Sequence, residues 1–295
     1  MKVAIIGAGK MGRWFTQFCL EEGNSVVVAS RSEDKLIRLK QEFGVEIASN
    51  VDAVKKAERI LICVPLENFK EVVKEISPHV RPDQVIMDIC SIKEDPVKMM
   101  HKYIPQGLTL GTHPVFGPGV PNLKNQNFVL TPTTQEERKL AEDFKNWLEK
   151  RGADVSIMSP QEHDERMSVV LGFPHFLGLV ICDTLLDYPS FLKTEEVSGT
   201  SYKMMLTLAE AVASEDTGFY TSLQMNLPKV EDIEGLFLNK CKEWFNIVKQ
   251  KEKSEFSKKM NTVKSKLEIV KPEYPQSYDL MHKILYPKGK TDNPA

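Results

Sequence analysis

The sequence predicts an α/β protein: an N-terminal doubly wound sheet followed by a C-terminal all-helical domain. Three observations predict it. The first thirty residues read strand, glycine turn, helix, strand. Short apolar runs then alternate with amphipathic stretches as far as residue 158, the pattern of parallel strands joined by crossover helices. Beyond Ser159 every segment reads helical. The expected boundaries are 1–158 for the sheet domain and 159–287 for the helical one, with a polar, frayed tail over Lys288–Ala295.

Val3-Ala4-Ile5-Ile6 has the length and β-branching of a buried strand. It runs into Gly7-Ala8-Gly9-Lys10-Met11-Gly12, a G-x-G-x-x-G. A helix with Phe15, Phe18, Cys19 and Leu20 apolar follows, closed by Gly23, and then a strand from Ser25 to Ala29. This is the context of the Rossmann dinucleotide fingerprint. Gly7 makes the tight turn, Gly9 lets the backbone approach a pyrophosphate, and Gly12 lets the helix sit close on the strand. Lys10 and Met11 open the helix whose N–H groups face the phosphates. The alternative is a tight turn with no ligand.

The end of the second strand bears on which nucleotide binds. An acidic residue there holds the ribose 2′-hydroxyl of NAD. Here Ser30 occupies that position and Arg31 follows. Serine can hydrogen-bond a 2′-phosphate and arginine can pair with it. NADP is therefore favoured, with NAD possible if Arg31 is merely solvated and Glu33 or Asp34 serves the ribose.

The alternation continues with a helix over 33–43 and the strand Arg59–Val64, stopped by Pro65. A helix over 67–76, a strand over 84–89, a short helix over 96–103, and strands over 108–112 and 128–131 come next. A strong amphipathic helix over 136–151 and a short strand over 154–158 complete the sheet domain. In such sheets ligands bind at the carboxyl ends of the strands. Val64 and Pro65 would flank the cofactor. Cys90-Ser91-Ile92-Lys93 follows one strand, and His113 opens a Pro/Gly-rich loop after another. A histidine held there by rigid backbone is a candidate catalytic group. The alternative is a histidine bonded only to a loop carbonyl.

Ser159-Pro160-Gln161-Glu162 is a capping box and starts a long helix. Pro174 lies inside it and removes the bond to the Val170 carbonyl, so a kink or break is expected beside His175. His163 and His175 stand twelve residues apart, about a third of a turn out of phase. His163 is therefore expected to be structural, bonding across to the sheet. Helices follow over 200–213, 215–227, 231–251 and 254–270. A small helical domain of this kind commonly buries its apolar faces in a homodimer.

Across 295 residues, 41% hydrophobic and 27% charged, the net charge is −2, which leaves no basic footprint for nucleic acid. No apolar run of membrane-spanning length is expected, and the first residues form a strand rather than a signal peptide. Five scattered cysteines without a C-x-x-C pair argue for reduced, cytoplasmic thiols and against a metal site.

Together, the glycine fingerprint, Asp88-Ile89-Cys90-Ser91-Ile92-Lys93, Gly111-Thr112-His113-Pro114-Val115-Phe116-Gly117-Pro118, Glu162-His163-Asp164-Glu165-Arg166-Met167 with Pro174-His175-Phe176, and Tyr220-Thr221-Ser222-Leu223-Gln224-Met225 resemble the prephenate/arogenate dehydrogenase family of tyrosine biosynthesis. The resemblance covers roughly residues 1–250. It implies oxidative decarboxylation of a small-molecule substrate, prephenate, to 4-hydroxyphenylpyruvate, with hydride passing to the nicotinamide. It also implies that His113 bonds the ring hydroxyl and takes its proton. Ser91 would orient His113 and the nicotinamide amide, and His175 would lie in the substrate pocket.

One position departs from the family pattern. A carboxylate-binding arginine is expected on the helix after Tyr202-Lys203, and Ala211 stands there beside Glu210. Arginine to alanine at a bidentate site is not conservative. Lys203 or Arg166 could supply the charge; the substrate could be arogenate, whose amine would suit Glu210; or the chain could be a non-catalytic NADP-binding sensor or scaffold. A β-hydroxyacid or imine reductase of the same two-domain build is disfavoured, because the long second-domain helix lacks the expected lysine.

Overall fold

The computed structural model describes residues 1–286, apart from the side chain of Leu192, so the expected frayed tail lies outside the described residues. The sheet region runs β1 (Lys2–Ile6), α1 (Lys10–Glu21), β2 (Ser25–Ala29), α2 (Glu33–Phe43), β3 (Glu46–Ala48), α3 (Asn50–Lys56), β4 (Arg59–Ile62) and α4 (Leu66–Ile76). It continues with β5 (Val85–Asp88), α5 (Glu94–Tyr103), β6 (Leu108–Pro114), β7 (Asn127–Thr131), α6 (Gln135–Glu149) and β8 (Asp154–Ile157). The remaining helices are α7 (Pro160–Met167), α8 (Phe173–Leu186), α9 (Thr200–Ala213), α10 (Thr217–Asn226), α11 (Val230–Gln250), α12 (Lys253–Val270) and α13 (Ser277–Leu285). The α/β class with a helical second part is as expected.

The eight strands form one sheet in the order β3-β2-β1-β4-β5-β6-β7-β8. Parallel pairing carries Ile6 beside Ile62, Ile62 beside Asp88 and Asp88 beside Gly111. The carboxyl ends of β1, β4, β5 and β6 therefore lie along one edge. The strand order reverses between β1 and β4, which is where a doubly wound sheet binds its ligand. Successive side chains on a strand point to opposite faces. Val3 and Ile5 enter one buried cluster with Trp14, Val28 and Leu110. Ala4 and Ile6 enter the other with Val27, Ile62, Phe69 and Met100. Helices cover both faces, which is why β1 and β2 read as continuous apolar runs.

Several features depart from the sequence expectation. β3 and α3 are additional: three residues are too few to show a period, and α3 is started by Ser49, whose Oγ accepts from Asp52 N–H. β7 runs antiparallel to β6, with His113 opposite Val129. The 115–126 connection carries no crossover helix to return the chain parallel. His113 belongs to β6 itself and is only 3% exposed, not on an open loop. Pro174 does not end its helix, but the α-helical pattern is interrupted just ahead of it, where the sequence predicts a kink or break. A π turn over Ser168–Gly172 precedes it and absorbs the missing N–H. Against the expectation of no membrane-length apolar run, Pro160–Leu186 makes one helix of 27 residues, long and apolar enough by length and composition alone. Glu162, Asp164, Glu165 and Arg166 fall in its first turns and Asp183 in its last, so the apolar stretch lies between them.

The chain divides into two compact units: Met1–Ser168 with Thr221–Pro228, and Val169–Tyr220 with the chain from Lys229 onward. Helix α7 thus groups with the sheet. In the second unit α8 packs along α9, where Gly178 meets Val212, and α13 packs on α9 as well.

Candidate active site

The glycine turn has the conformation its residues require. Gly7 sits at φ +122° and donates its N–H to Ala29 O at 2.7 Å. A Cβ on Gly7 would lie 2.4 Å from Cys63 O, and one on Gly12 would lie 1.9 Å from Gly7 O. A Cβ on Gly9 would meet no protein atom within 4 Å. Gly9 caps α1 with no side-chain hydrogen bond, and the first turn holds no acidic residue. A helix start with a bare glycine backbone and no competing carboxylate can hold a pyrophosphate. Lys10 is exposed, Met11 is half-buried, and Val64 N borders Gly7, with Pro65 next as the cap of α4. At the end of β2, Ser30 Oγ accepts from Ser32 N–H at 3.2 Å. Arg31 is exposed and meets no carboxylate among the described residues.

Two and three strands away from β1, the carboxyl ends of β5 and β6 build a dense polar centre. Lys93 and Asp88 form an ion pair with neither side chain exposed. Lys93 Nζ also donates to Thr112 O at 2.6 Å, and Asp88 accepts from Cys90 N–H at 2.9 Å. Thr112 Oγ1 donates to Asp88 O at 2.5 Å. These bonds lock the backbone that carries His113. The His113 ring is held separately: its Nδ1 lies 2.8 Å from His163 Nε2, and His163 Nδ1 lies 2.7 Å from Asp164 Oδ1. Asp164 in turn accepts from Lys93 N–H at 2.7 Å and Glu94 N–H at 2.9 Å, capping α5 from α7. His163 thus bonds across to the sheet. Burial pushes the His113 pKa well down, and the neighbouring His163 and Lys93 push the same way. No described residue bonds His113 Nε2. Nor is that atom sealed in: the buried side-chain nitrogens without a partner are, among the described residues, Arg151 Nε and His175 Nδ1.

The loop after His113 is tied to the nucleotide helix. Trp14 Nε1 donates to Val120 O at 2.8 Å, and the Trp14 ring meets Phe116 edge-on. Ser91 is half-buried just beyond β5. His113 Nδ1 is bonded to His163, and no hydrogen bond between Ser91 and His113 occurs among the described residues.

Within the second unit, His175 is half-buried against the Tyr220 ring, 4.4 Å between centroids, and burial lowers its pKa. Lys203 is exposed on α9, and its ammonium lies 5.9 Å from the Tyr286 ring centroid. Lys203 and Glu210 line one cavity of about 340 Å³, with Tyr202, Ser198 and Thr207. Ala211 is exposed on the same helix. Arg166, in the first unit, is engaged by Glu162 at 2.5 Å. No group of three or more His, Cys, Asp or Glu residues able to hold a metal occurs among the described residues.

Lys93, His163 and Asp164 are the functional candidates that residue-by-residue reading underrates. Their signal is weak in sequence: a lysine five residues after a strand-end aspartate, and a His-Asp pair inside a helix.

Two family models match, the nucleotide-binding domain of prephenate dehydrogenase over residues 15–157 and its dimerization domain over residues 159–262. The chain is 34% identical over 267 residues to a probable arogenate/prephenate dehydrogenase of Methanocaldococcus jannaschii, covering 88% of this chain and 59% of that one. It is 23% identical to the T-protein of Haemophilus influenzae over 244 residues, 79% of this chain and 59% of the relative. The chain therefore spans about three-fifths of the length of these curated relatives. In fold it is similar to the crystal structure of prephenate dehydrogenase from A. aeolicus in complex with hydroxyphenyl propionate and NAD+. That match has a TM-score of 0.76 at 20% identity and covers 90% of this chain and 96% of that one. A dinucleotide turn, a buried histidine centre on strand ends of the same sheet edge and both matched domains converge on one conclusion: this chain belongs to the prephenate dehydrogenase family.

Proposed function

We propose that the chain is an NADP-linked prephenate dehydrogenase, converting prephenate to 4-hydroxyphenylpyruvate with loss of carbon dioxide. The observation that carries this reading is His113. It is a buried imidazole on the strand-end edge shared with the glycine turn, bonded through Nδ1 and unbonded at Nε2. The nicotinamide supplies the hydride acceptor when the cofactor is bound. Gly7, Gly9, Lys10, Met11 and Gly12 hold its pyrophosphate, Val64 and Pro65 flank it, and Ser30 and Arg31 take the 2′-phosphate. As hydride leaves the ring carbon bearing the hydroxyl, His113 Nε2 accepts the hydroxyl proton. Loss of the ring carboxylate as carbon dioxide leaves its electron pair to aromatise the ring. The proton then returns to the phenolate oxygen, so the histidine is regenerated. Ser91 positions the nicotinamide amide, and His175 lines the substrate pocket.

Lys203 supplies the cation for a substrate carboxylate in place of the arginine missing at Ala211, because it stands on the same helix and lines the cavity there. The second reading is arogenate as substrate. The observation favouring it is Glu210, which shares the Lys203 cavity and would accept from an amine. A homodimer accounts for the apolar side chains the second unit leaves exposed, among them Leu179, Val180, Leu236, Leu238 and Phe245. We place the enzyme in the cytoplasm, on the strength of its unpaired cysteines.

The test is direct. Protein is mixed with prephenate or arogenate and with NADP+ or NAD+, and absorbance of the reduced nicotinamide is followed. Turnover of prephenate with NADP+ is expected, and faster turnover of arogenate would replace the substrate. Tight NADP binding with neither acid oxidised would leave a sensor or scaffold in place of the enzyme. Sedimentation at micromolar concentration checks the dimer, and a monomer would end that part.

A further inference from the structure

Two buried side chains, His163 and Asp164, stand in series behind His113, all within the first unit. The Asp164 carboxylate accepts from Lys93 N–H, Glu94 N–H and the Nδ1 side of His163. A carboxylate only accepts, so His163 Nδ1 carries a hydrogen. Burial pulls the His163 pKa below its ordinary value against the pull of Asp164, and the Lys93 charge lowers it further. His163 is therefore neutral at pH 7, and its Nε2 bears a lone pair. That lone pair faces His113 Nδ1 at 2.8 Å, so His113 is the donor there. The hydrogen-bond chain, anchored at Asp164, leaves His113 Nε2 as the unprotonated nitrogen.

A proton taken up by His113 alone would make an imidazolium buried near the Lys93 ammonium with no carboxylate in contact. Burial, His163 and Lys93 all oppose it. His163 faces the same lysine, and Asp88 more remotely, but it touches the Asp164 carboxylate. The cation is better held one residue back.

We propose that His163 and Asp164 form a proton relay behind His113, in which uptake of a proton at His113 Nε2 is matched by passage of its Nδ1 proton to His163 Nε2. The relay rests on the reading of His113 as the base. One proton enters His113 from the substrate hydroxyl, one leaves it for His163, and Asp164 remains a carboxylate throughout. When the phenolate forms, both protons step back, and the histidines end neutral. His163 is a positioning residue that also stores the charge. The logic is that of a base oriented by a carboxylate, with a second imidazole between them.

Two experiments decide it. Imidazole ¹⁵N chemical shifts of the full chain at neutral pH are expected to show both His113 and His163 protonated at Nδ1 and bare at Nε2. The opposite tautomer at His113 overturns the relay whatever the substrate is. In the second, His163→Gln keeps an acceptor for His113 Nδ1 but cannot take a proton. With the substrate and cofactor found above, kcat is expected to fall about 100-fold, on the scale of lost proton-transfer catalysis, while KM changes less than about twofold and a bowed H2O/D2O proton inventory becomes straight. A kcat within about threefold of the parent, or an inventory still bowed, overturns the proposal. If the parent enzyme oxidises neither acid, the dehydrogenase reading fails by itself, and the ¹⁵N pattern still decides whether the histidines are wired this way.

Discussion

The Lys93 ammonium and the Asp88 carboxylate pair inside the first unit with neither side chain exposed. The same lysine donates from Nζ to Thr112 O, the carbonyl preceding His113, and from its backbone N–H to Asp164. Asp164 reaches His163, and His163 reaches the His113 ring. Lys93 therefore holds His113 from both sides, through its backbone and through its ring. Removing one partner of a buried pair leaves an uncompensated charge and costs about 3–5 kcal/mol. Lys93→Met is expected to lose stability on that scale in urea denaturation. Lys93→Met with Asp88→Asn is expected to be more stable than Lys93→Met alone, because no charge is then stranded. A double variant less stable than the single would show that the pair is not the source of the loss.

Gly9 and Gly12 separate binding from folding. Gly12→Ala drives a Cβ to 1.9 Å from Gly7 O, and backbone cannot yield as a flexible side chain does. A loss of about 1–3 kcal/mol or more is expected, the usual range for overpacking, seen as a lower melting temperature. Gly9→Ala meets no protein atom. It should melt like the parent yet bind its nicotinamide cofactor at least about tenfold more weakly, a change of about 1.4 kcal/mol, read by titration calorimetry. Equal melting temperatures for the two variants would contradict the packing argument.

The base should work in mild acid. His113 has its pKa pushed well below the ordinary 6.5, first by burial. Its unprotonated form then persists below that pH. The acid limb of kcat/KM is expected below pH 6.5, and His113→Asn is expected to cut kcat by about two to four orders of magnitude. An acid limb at or above pH 6.5 assigned to His113 would be inconsistent with the buried imidazole.

Glu137 should make stability pH-dependent. Burial alone would raise its pKa. The hydroxyl of Thr109 at 2.7 Å, the N–H and hydroxyl of Thr133 at 2.7 and 2.8 Å, and His101 at 2.6 Å outweigh burial, and the pKa is lowered from 4.5. A carboxylate whose folded pKa is depressed contributes stability fully above its unfolded pKa and loses it as pH falls through the folded one. Glu137→Gln is expected to be less stable than the parent at pH 7, with the gap closing below pH 4.5. A gap independent of pH would remove the carboxylate from the account.

Sequence alone determined the elements whose signal is local. β1 and β2 are apolar runs buried on both faces, α6 and α9 carry their period in their own residues, and the G-x-G-x-x-G turn needs glycine for reasons of φ and close approach within a few residues. Each such feature depends on neighbours in the chain, so the chain displays it. Tertiary structure decided what depends on residues far apart. β7 lies antiparallel although its composition suits either direction. Pro174 is absorbed by a π turn. His113 is drawn into the sheet, and His163, fifty positions later, becomes its partner. Helix α7 reaches the sheet through His163, and its Asp164 caps a helix that begins 70 residues earlier. No periodicity encodes a hydrogen bond of that separation; only the folded backbone brings its donor and acceptor within reach.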